Sequence, residues 1–194
     1  MSKAVKQILI GFLLLHCGCD LFITREAESP ETKGATYQPA FSPDTLISNF
    51  INALAEKNTQ NYIASFSDPA FSNKTFIFIP SAAAAAKFPV LADGWSLADE
   101  EQYFNNVISK VFDDVGITLI IKETERSVLG DSVLYSASYS LNVPHNDITI
   151  SNIFQGEMKM KLIRDSRSIW SIYYWEDIRN TNESSWSDLK GLFY

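Results

Sequence analysis

Along residues 42–112 the apolar positions recur every three or four residues, and from residue 117 onward they recur every second one. Ser42-Pro43-Asp44 opens the first periodic stretch as N-cap, first helical residue and helix-dipole partner. Leu46, Ile47, Phe50, Ile51 and Leu54 then form one helical stripe, broken at Asn58-Thr59. A short second helix carries Tyr62, Ile63 and Phe66 and stops at Ser67-Asp68-Pro69. Phe76 to Ile79 reads as a strand ended by Pro80, and Ala82–Ala86 as one or two helical turns. Ser96 with Asp99 is a capping-box start for a helix with Leu97, Phe104, Val107, Ile108 and Val111 on its apolar face, ending near Asp113.

After Gly116 the period is that of strands. Ile117, Leu119 and Ile121 alternate up to a turn at Gly130-Asp131. Val133, Tyr135, Ala137, Tyr139, Leu141 and Val143 alternate with polar residues, and Pro144–Asp147 turns the chain again. Phe154, Gly156, Met158, Met160 and Leu162 follow, then a turn at Asp165-Ser166 and an aromatic strand from Ile169 to Arg179. Trp186–Lys190 predicts a last helical turn. Helices first and a four-strand meander last predict an α+β fold, with helices packed on one face of an antiparallel sheet.

Two stretches carry a resemblance. Leu46 to Asn58 followed by Tyr62 to Asp68 looks like the opening of NTF2-like domains, and Trp170-Ser171-Ile172-Tyr173-Tyr174-Trp175-Glu176-Asp177 looks like their last strand. The resemblance covers about residues 43–180. It implies a curved sheet wrapped into a cystatin-like cone around a cavity, used by some relatives for catalysis and by many for binding or dimerisation.

The N-terminus predicts an address. Lys3 and Lys6 precede the apolar run Ile8–Leu15, too short to span a membrane as a helix, and Gly18 precedes Cys19. Leu15-His16-Cys17-Gly18-Cys19 resembles a bacterial lipobox, although His16 stands where an aliphatic residue is usual. The resemblance implies cleavage before Cys19 and a diacylglyceryl group on its sulfur; an ordinary secretory signal is the alternative. Lipid then supplies the membrane attachment, with the domain facing the periplasm or cell exterior and the choice of inner or outer membrane left open. This divides the chain into a signal (1–18), a lipidated cysteine with a flexible Glu/Ser/Thr/Pro-rich tether (19–41), and a single domain (42–194).

Charge narrows the partners. The formal net charge is −7, and the leader holds two lysines and no acid, so the remainder is more acidic still. Such a surface offers no excess of cations to phosphates, which argues against nucleic acid and against docking on anionic headgroups.

Candidate chemistry is sparse. The one histidine beyond the leader, His145, sits in a polar turn and reads as solvated. No cysteine or histidine cluster has metal-ligand spacing, and no cofactor is implied. Glu100-Glu101 reads as a solvated helix face and Asp113-Asp114 as a helix end. Asp177 shares strand parity with Tyr173 and Trp175, so the three are expected on one sheet face, with Tyr139 among the inward aromatics of its own strand. They are the candidate contacts for a small apolar ligand with a polar end. A strand-end acid paired with Arg179 or a lysine, a plain aromatic core and a partner surface are the competing readings.

The expected role is a non-catalytic binding or assembly module at the cell envelope, meeting a small ligand or an envelope protein, with a homodimer allowed. The alternatives are an isomerase, dehydratase or hydrolase working in the cone, and a structural self-associating module. From Ser42 to the C-terminus the sequence holds no cysteine. Its thermal midpoint is therefore expected to be the same with and without reductant, and a shift of several degrees would contradict this reading.

Overall fold

The structure, a computed structural model, describes residues 36–180 and 183–194. The leader and Cys19 lie outside the described residues. No described helix is long and apolar enough to cross a membrane.

Helix α1 (Pro43–Ala55) starts where its cap predicts, with the Ser42 side chain accepting from the Thr45 amide at 3.1 Å. Its stripe of Leu46, Ile47, Phe50, Ala53 and Leu54 is buried. Residues 36–41, assigned by composition to the tether, lie against the domain. Buried Asn49 brackets Gln38, accepting from its amide and donating to its carbonyl, while the Trp170 amide donates to the Ala40 carbonyl at 2.8 Å. A second helix, α2 (Thr59–Ile63), buries Tyr62. Strand β1 (Ile77–Ile79) is followed by the short helices α3 (Ala82–Lys87) and α4 (Pro89–Ala92).

Helix α5 (Leu97–Ile108) carries the expected capping box, Ser96 and Asp99 each bonding the other's backbone amide. It stops about five residues before the predicted end. Val111 instead leaves the helix to bridge His145.

Strands β2 (Thr118–Leu129), β3 (Ser132–Asn142), β4 (Ile153–Arg164) and β5 (Trp170–Arg179) form the predicted meander. Gly130, at a φ of 61°, makes the tight β2–β3 turn without the steric cost that a side chain brings in that region. The sheet order is β1-β5-β4-β3-β2, and β1 joins the edge of β5 in parallel, a pairing that alternation within single strands cannot reveal.

Two bulges bend this sheet. Thr124 is the extra residue of β2 against β3, and Tyr173 is the extra residue of β5 against β4, where Lys161 pairs Tyr174 and Leu162 pairs Ile172. One face packs beneath the helices: Val133, Tyr135, Ala137, Tyr139 and Leu141 of β3 and Phe154, Met158, Met160 and Leu162 of β4 are all buried. The chain closes with α6 (Trp186–Phe193), the predicted last turn extended to eight residues.

Phe50 sits at the centre of the core. It stacks on Tyr62 and Trp186 at 5.5 and 5.8 Å and meets Trp175 edge-on at 5.8 Å. Each such pair is worth about 0.5–1.5 kcal/mol beyond its buried area.

Gly156 on β4 leaves no room for a side chain. A Cβ there would come within 2.6 Å of the Ile178 carbonyl oxygen and 2.9 Å of the Tyr139 hydroxyl. Gly156→Ala is therefore expected to lose about 1–3 kcal/mol in urea denaturation, the usual range for overpacking. An unchanged midpoint would show that β4 and β5 can separate locally without cost.

Candidate functional site

The interior of the cone is occupied by the chain itself. Trp186, Leu189 and Lys190 project from one side of α6, and each is fully buried. Two carboxylates meet them there.

Asp177, at the end of β5, is one. Its Oδ1 accepts from the Tyr139 hydroxyl at 2.6 Å, and its Oδ2 accepts from the Ser187 amide at 2.8 Å and from the Ser187 hydroxyl. Tyr139 in turn accepts from the Trp186 amide at 2.7 Å, and Ser187 Oγ accepts from the Ser81 amide at 2.9 Å. Two of the first amides of α6, which a helix cannot satisfy internally, are thus capped by side chains of the sheet. At the same helix end the Ser185 amide donates to Asp188 at 2.9 Å.

Glu100, in the first turn of α5, is the other. Oε1 accepts from the Tyr62 hydroxyl at 2.6 Å; Oε2 accepts from the Trp95 indole at 2.6 Å and from the Lys190 ammonium. Neither member of the ion pair is exposed. Lys190 Nζ lies 4.3 Å from the Phe78 ring centroid, 4.7 Å from Trp175, 4.8 Å from Tyr103 and 5.1 Å from Trp95. Trp186 Nε1 donates to the Tyr103 hydroxyl at 3.1 Å, which joins this cage to the Asp177 cluster through α6.

Burial shifts the protons. It pulls Lys190 down to about 8, against the opposing pull of Glu100 and Asp177. Tyr62 and Tyr103 are raised well above the ordinary tyrosine value by burial and then by the Glu100 charge; Tyr139 is raised likewise by burial and by Asp177. At neutral pH the interior therefore holds a protonated amine and neutral phenols.

Three of the four residues singled out as ligand contacts meet in this interior. Asp177 is 2% exposed, Trp175 is sealed, and Tyr139 bonds Asp177 directly. Tyr173 does not join them. The bulge at Tyr173 reverses strand parity, so Ile172 and Trp175 both face inward while Tyr173 is only partly buried, with Lys74 Nζ 5.8 Å from its ring.

Two residues read as solvated are corrected. Glu100 is completely buried, because it lies on the same helix face as Tyr103, Phe104 and Val107. That signal was in the sequence: positions 100, 103, 104 and 107 follow helical spacing, as do 186, 189, 190 and 193 around Lys190. His145 is 6% exposed, covered by the Val111 bridge and by Phe193 at 5.5 Å, and its Nδ1 accepts from the Asp147 amide at 3.2 Å. Asp113 and Asp114 are exposed.

From outside, a cleft of about 650 Å³ lies between Pro80–Ala83 and Glu176–Asn180, along the part of β5 that extends beyond β1. It borders Asp177, whose two oxygens are already engaged from the inside.

No protein-family model matches the chain, and no curated protein matches it. Solved structures do. A candidate dehydratase of the NTF2-like family from Streptomyces avermitilis aligns with a TM-score of 0.52 at 11% identity, covering 72% of this chain and 100% of that one. An NTF2-like superfamily protein from Salmonella enterica aligns with a TM-score of 0.50 at 11% identity over 71% and 88% of the two chains. A candidate aromatic ring hydroxylase from Novosphingobium aromaticivorans gives 0.53 at 12% identity over 76% and 92%. The fold is that of the NTF2-like cone. Likeness at this identity establishes architecture alone.

The titration of Lys190 has a defined sign. An unfolded lysine titrates near 10.5 and Lys190 near 8, so between these values the unfolded chain holds the extra proton. This contribution to stability grows as pH rises above 8 and is lost as pH falls through 8; above 10 the buried tyrosines act in the opposite direction. From pH 8 to 10 the unfolding free energy is expected to rise by about 2 kcal/mol from this group. The rise should vanish in a Glu100→Gln, Lys190→Met double variant, and denaturant titrations across that pH range would reveal a flat wild-type profile if the amine is not buried.

Proposed function

We propose that this chain is a lipid-anchored cell-envelope protein whose NTF2-like domain works by binding or assembly. The anchoring half rests on the leader, with its basic start, short apolar run and Cys19, the last cysteine in the chain. Several acyl chains on one residue anchor stably, at about 0.8 kcal/mol per buried methylene, and no basic surface is needed.

The observation that carries the other half is the filled interior. A cone enzyme of the isomerase, dehydratase or hydrolase type needs titratable groups facing a space that a substrate can enter. Here Glu100 and Asp177 both spend their oxygens on the chain's own donors, and α6 occupies the space between them. In this reading Asp177, Trp175 and Tyr139 hold the domain in shape for an envelope partner, and Asp177 is the one of the three that borders an outer cleft where a small ligand would meet the domain. A self-associating structural module is the remaining alternative, distinguished by concentration-dependent mass in solution.

Mass spectrometry of the membrane fraction is expected to find an acylated N-terminal Cys19. Cys19→Ala is expected to release the protein or block its processing, and an unmodified N-terminus beginning beyond residue 19 would overturn the anchoring.

A further inference from the structure

Strand β2 closes the order β1-β5-β4-β3-β2, and among the described residues its far side bonds no other backbone. An exposed edge of twelve residues is a template on which another strand can pair. Apolar side chains also gather there. Ile120 is 64% exposed and Val128 and Leu129 are each 63% exposed, more than any other large apolar residue in the described strands.

The bulge makes this edge complementary to itself. Leu119, Ile121 and Glu123 pair with Leu141, Tyr139 and Ala137 of β3, which point inward. After the extra residue Thr124, Arg126 and Val128 pair with the inward Tyr135 and Val133. Ile120, Lys122, Glu125, Ser127 and Leu129 therefore share the outer face. Two copies of β2 can then lie antiparallel about a twofold axis between Thr124 and Glu125, inward residues beside inward and outward beside outward. In that register Ile120 stands opposite Leu129 of the second copy, Ile121 opposite Val128, and Glu123 opposite Arg126. Lys122 stands opposite Ser127, with Glu125 as its diagonal neighbour. The twofold makes each pair twice.

Other registers lose these pairs. A slip of one residue sets inward side chains against outward ones. A slip of two puts Arg126 opposite Ile121 in one direction and Lys122 opposite Leu129 in the other. Charged residues guard an edge when a second strand brings them no counterion. Here the four charges of β2, on Lys122, Glu123, Glu125 and Arg126, sum to zero, and each meets its opposite in the second copy. Arg126 already bonds Glu123 of its own strand and Asp44 of α1, so its guanidinium is in place before a second chain arrives.

We propose that two copies of this chain pair through β2, joining their five-stranded sheets into one across a twofold axis. Facing apolar pairs and opposite charges are what stabilise antiparallel strands. No element has to move, because the edge and its apolar side chains are exposed already. The inference gives the assembly reading above its partner, and it does not depend on lipid at Cys19.

The test uses the full-length protein in its own membrane, carrying Ile120→Cys and Leu129→Cys on the same chain. Within one copy the two positions lie roughly 30 Å apart, at about 3.3 Å per strand residue, far beyond the ~4.4–6.8 Å Cα separation of a disulfide. Mild oxidation is expected to give a covalent dimer on a non-reducing gel, and peptide mapping a disulfide between positions 120 and 129. Leu134→Cys, on the outer face of the neighbouring strand, is expected to stay unlinked. In detergent at high micromolar concentration the wild type is expected to sediment at twice the mass of one chain. Ile120→Lys with Leu129→Lys, at positions exposed in the single copy, is expected to keep the fold and halve that mass. The proposal is overturned if the wild type sediments as one chain, if Leu134→Cys links while the 120–129 pair does not, or if the lysine variant keeps the doubled mass. Mapping identifies the linked positions directly, so a free Cys19 thiol, which would defeat the anchor, cannot be mistaken for edge pairing.

Discussion

Glu100 and Lys190 are 90 residues apart, and neither touches water. A carboxylate removed from solvent must find donors or lose its charge, because an unpaired buried ion is very costly. Much of the interior follows from that demand. Tyr62 and Trp95 each turn a polar atom toward Glu100, and α6 lies where its lysine can reach. At an effective dielectric of about 20, two unit charges 4 Å apart attract by about 4 kcal/mol. That is of the same order as the desolvation it offsets. The pair thus positions α6 in the cone more than it adds to the stability of the whole. Removing either partner alone strands the other.

The second constraint is the bend of the sheet. An unbroken β5 would send Trp170, Ile172, Tyr174 and Glu176 to the core and Trp175 and Asp177 to the outside. The extra residue at Tyr173 reverses this halfway along, so that Trp170 and Ile172 are buried before it and Trp175 and Asp177, which meet Trp186 and Ser187 of α6, are buried after it. One inserted residue therefore decides which acid enters the cone. Gly156, opposite Arg179 on β4, lets the Tyr139 hydroxyl come close enough to serve that acid. Bulge and glycine together deliver a carboxylate and a phenol to the same point from strands that are not neighbours in the sheet.

The NTF2-like cone hosts both catalysts and binding modules, so architecture alone says little about activity. The side chains placed inside it decide. Here they are two acids, one ammonium and a dense set of aromatics, closed by the chain's own terminal helix.

Local pattern determined most of the elements. Side-chain alternation has a period of two and helix faces a period of 3.6, and both are properties of a single segment. Hence α1, α5 and the β2–β5 meander were legible, as were the caps at Ser42 and Ser96 and the turn at Gly130. Tyr139 was recognisable as inward-facing for the same reason, and Asp177 as sharing a face with Trp175. The expected leader and its Cys19, also an expectation from contiguous residues, lie outside the described residues. Tertiary structure decided the rest, because it depends on contacts between distant segments. The parallel β1 edge, the bulge that excludes Tyr173, the burial of His145 beneath Phe193, and the pairing of Glu100 with Lys190 each need a partner far along the chain. The helical spacing of Glu100 and Lys190 already placed each on an apolar face. Only the packing of α6 into the cone made those two charges partners.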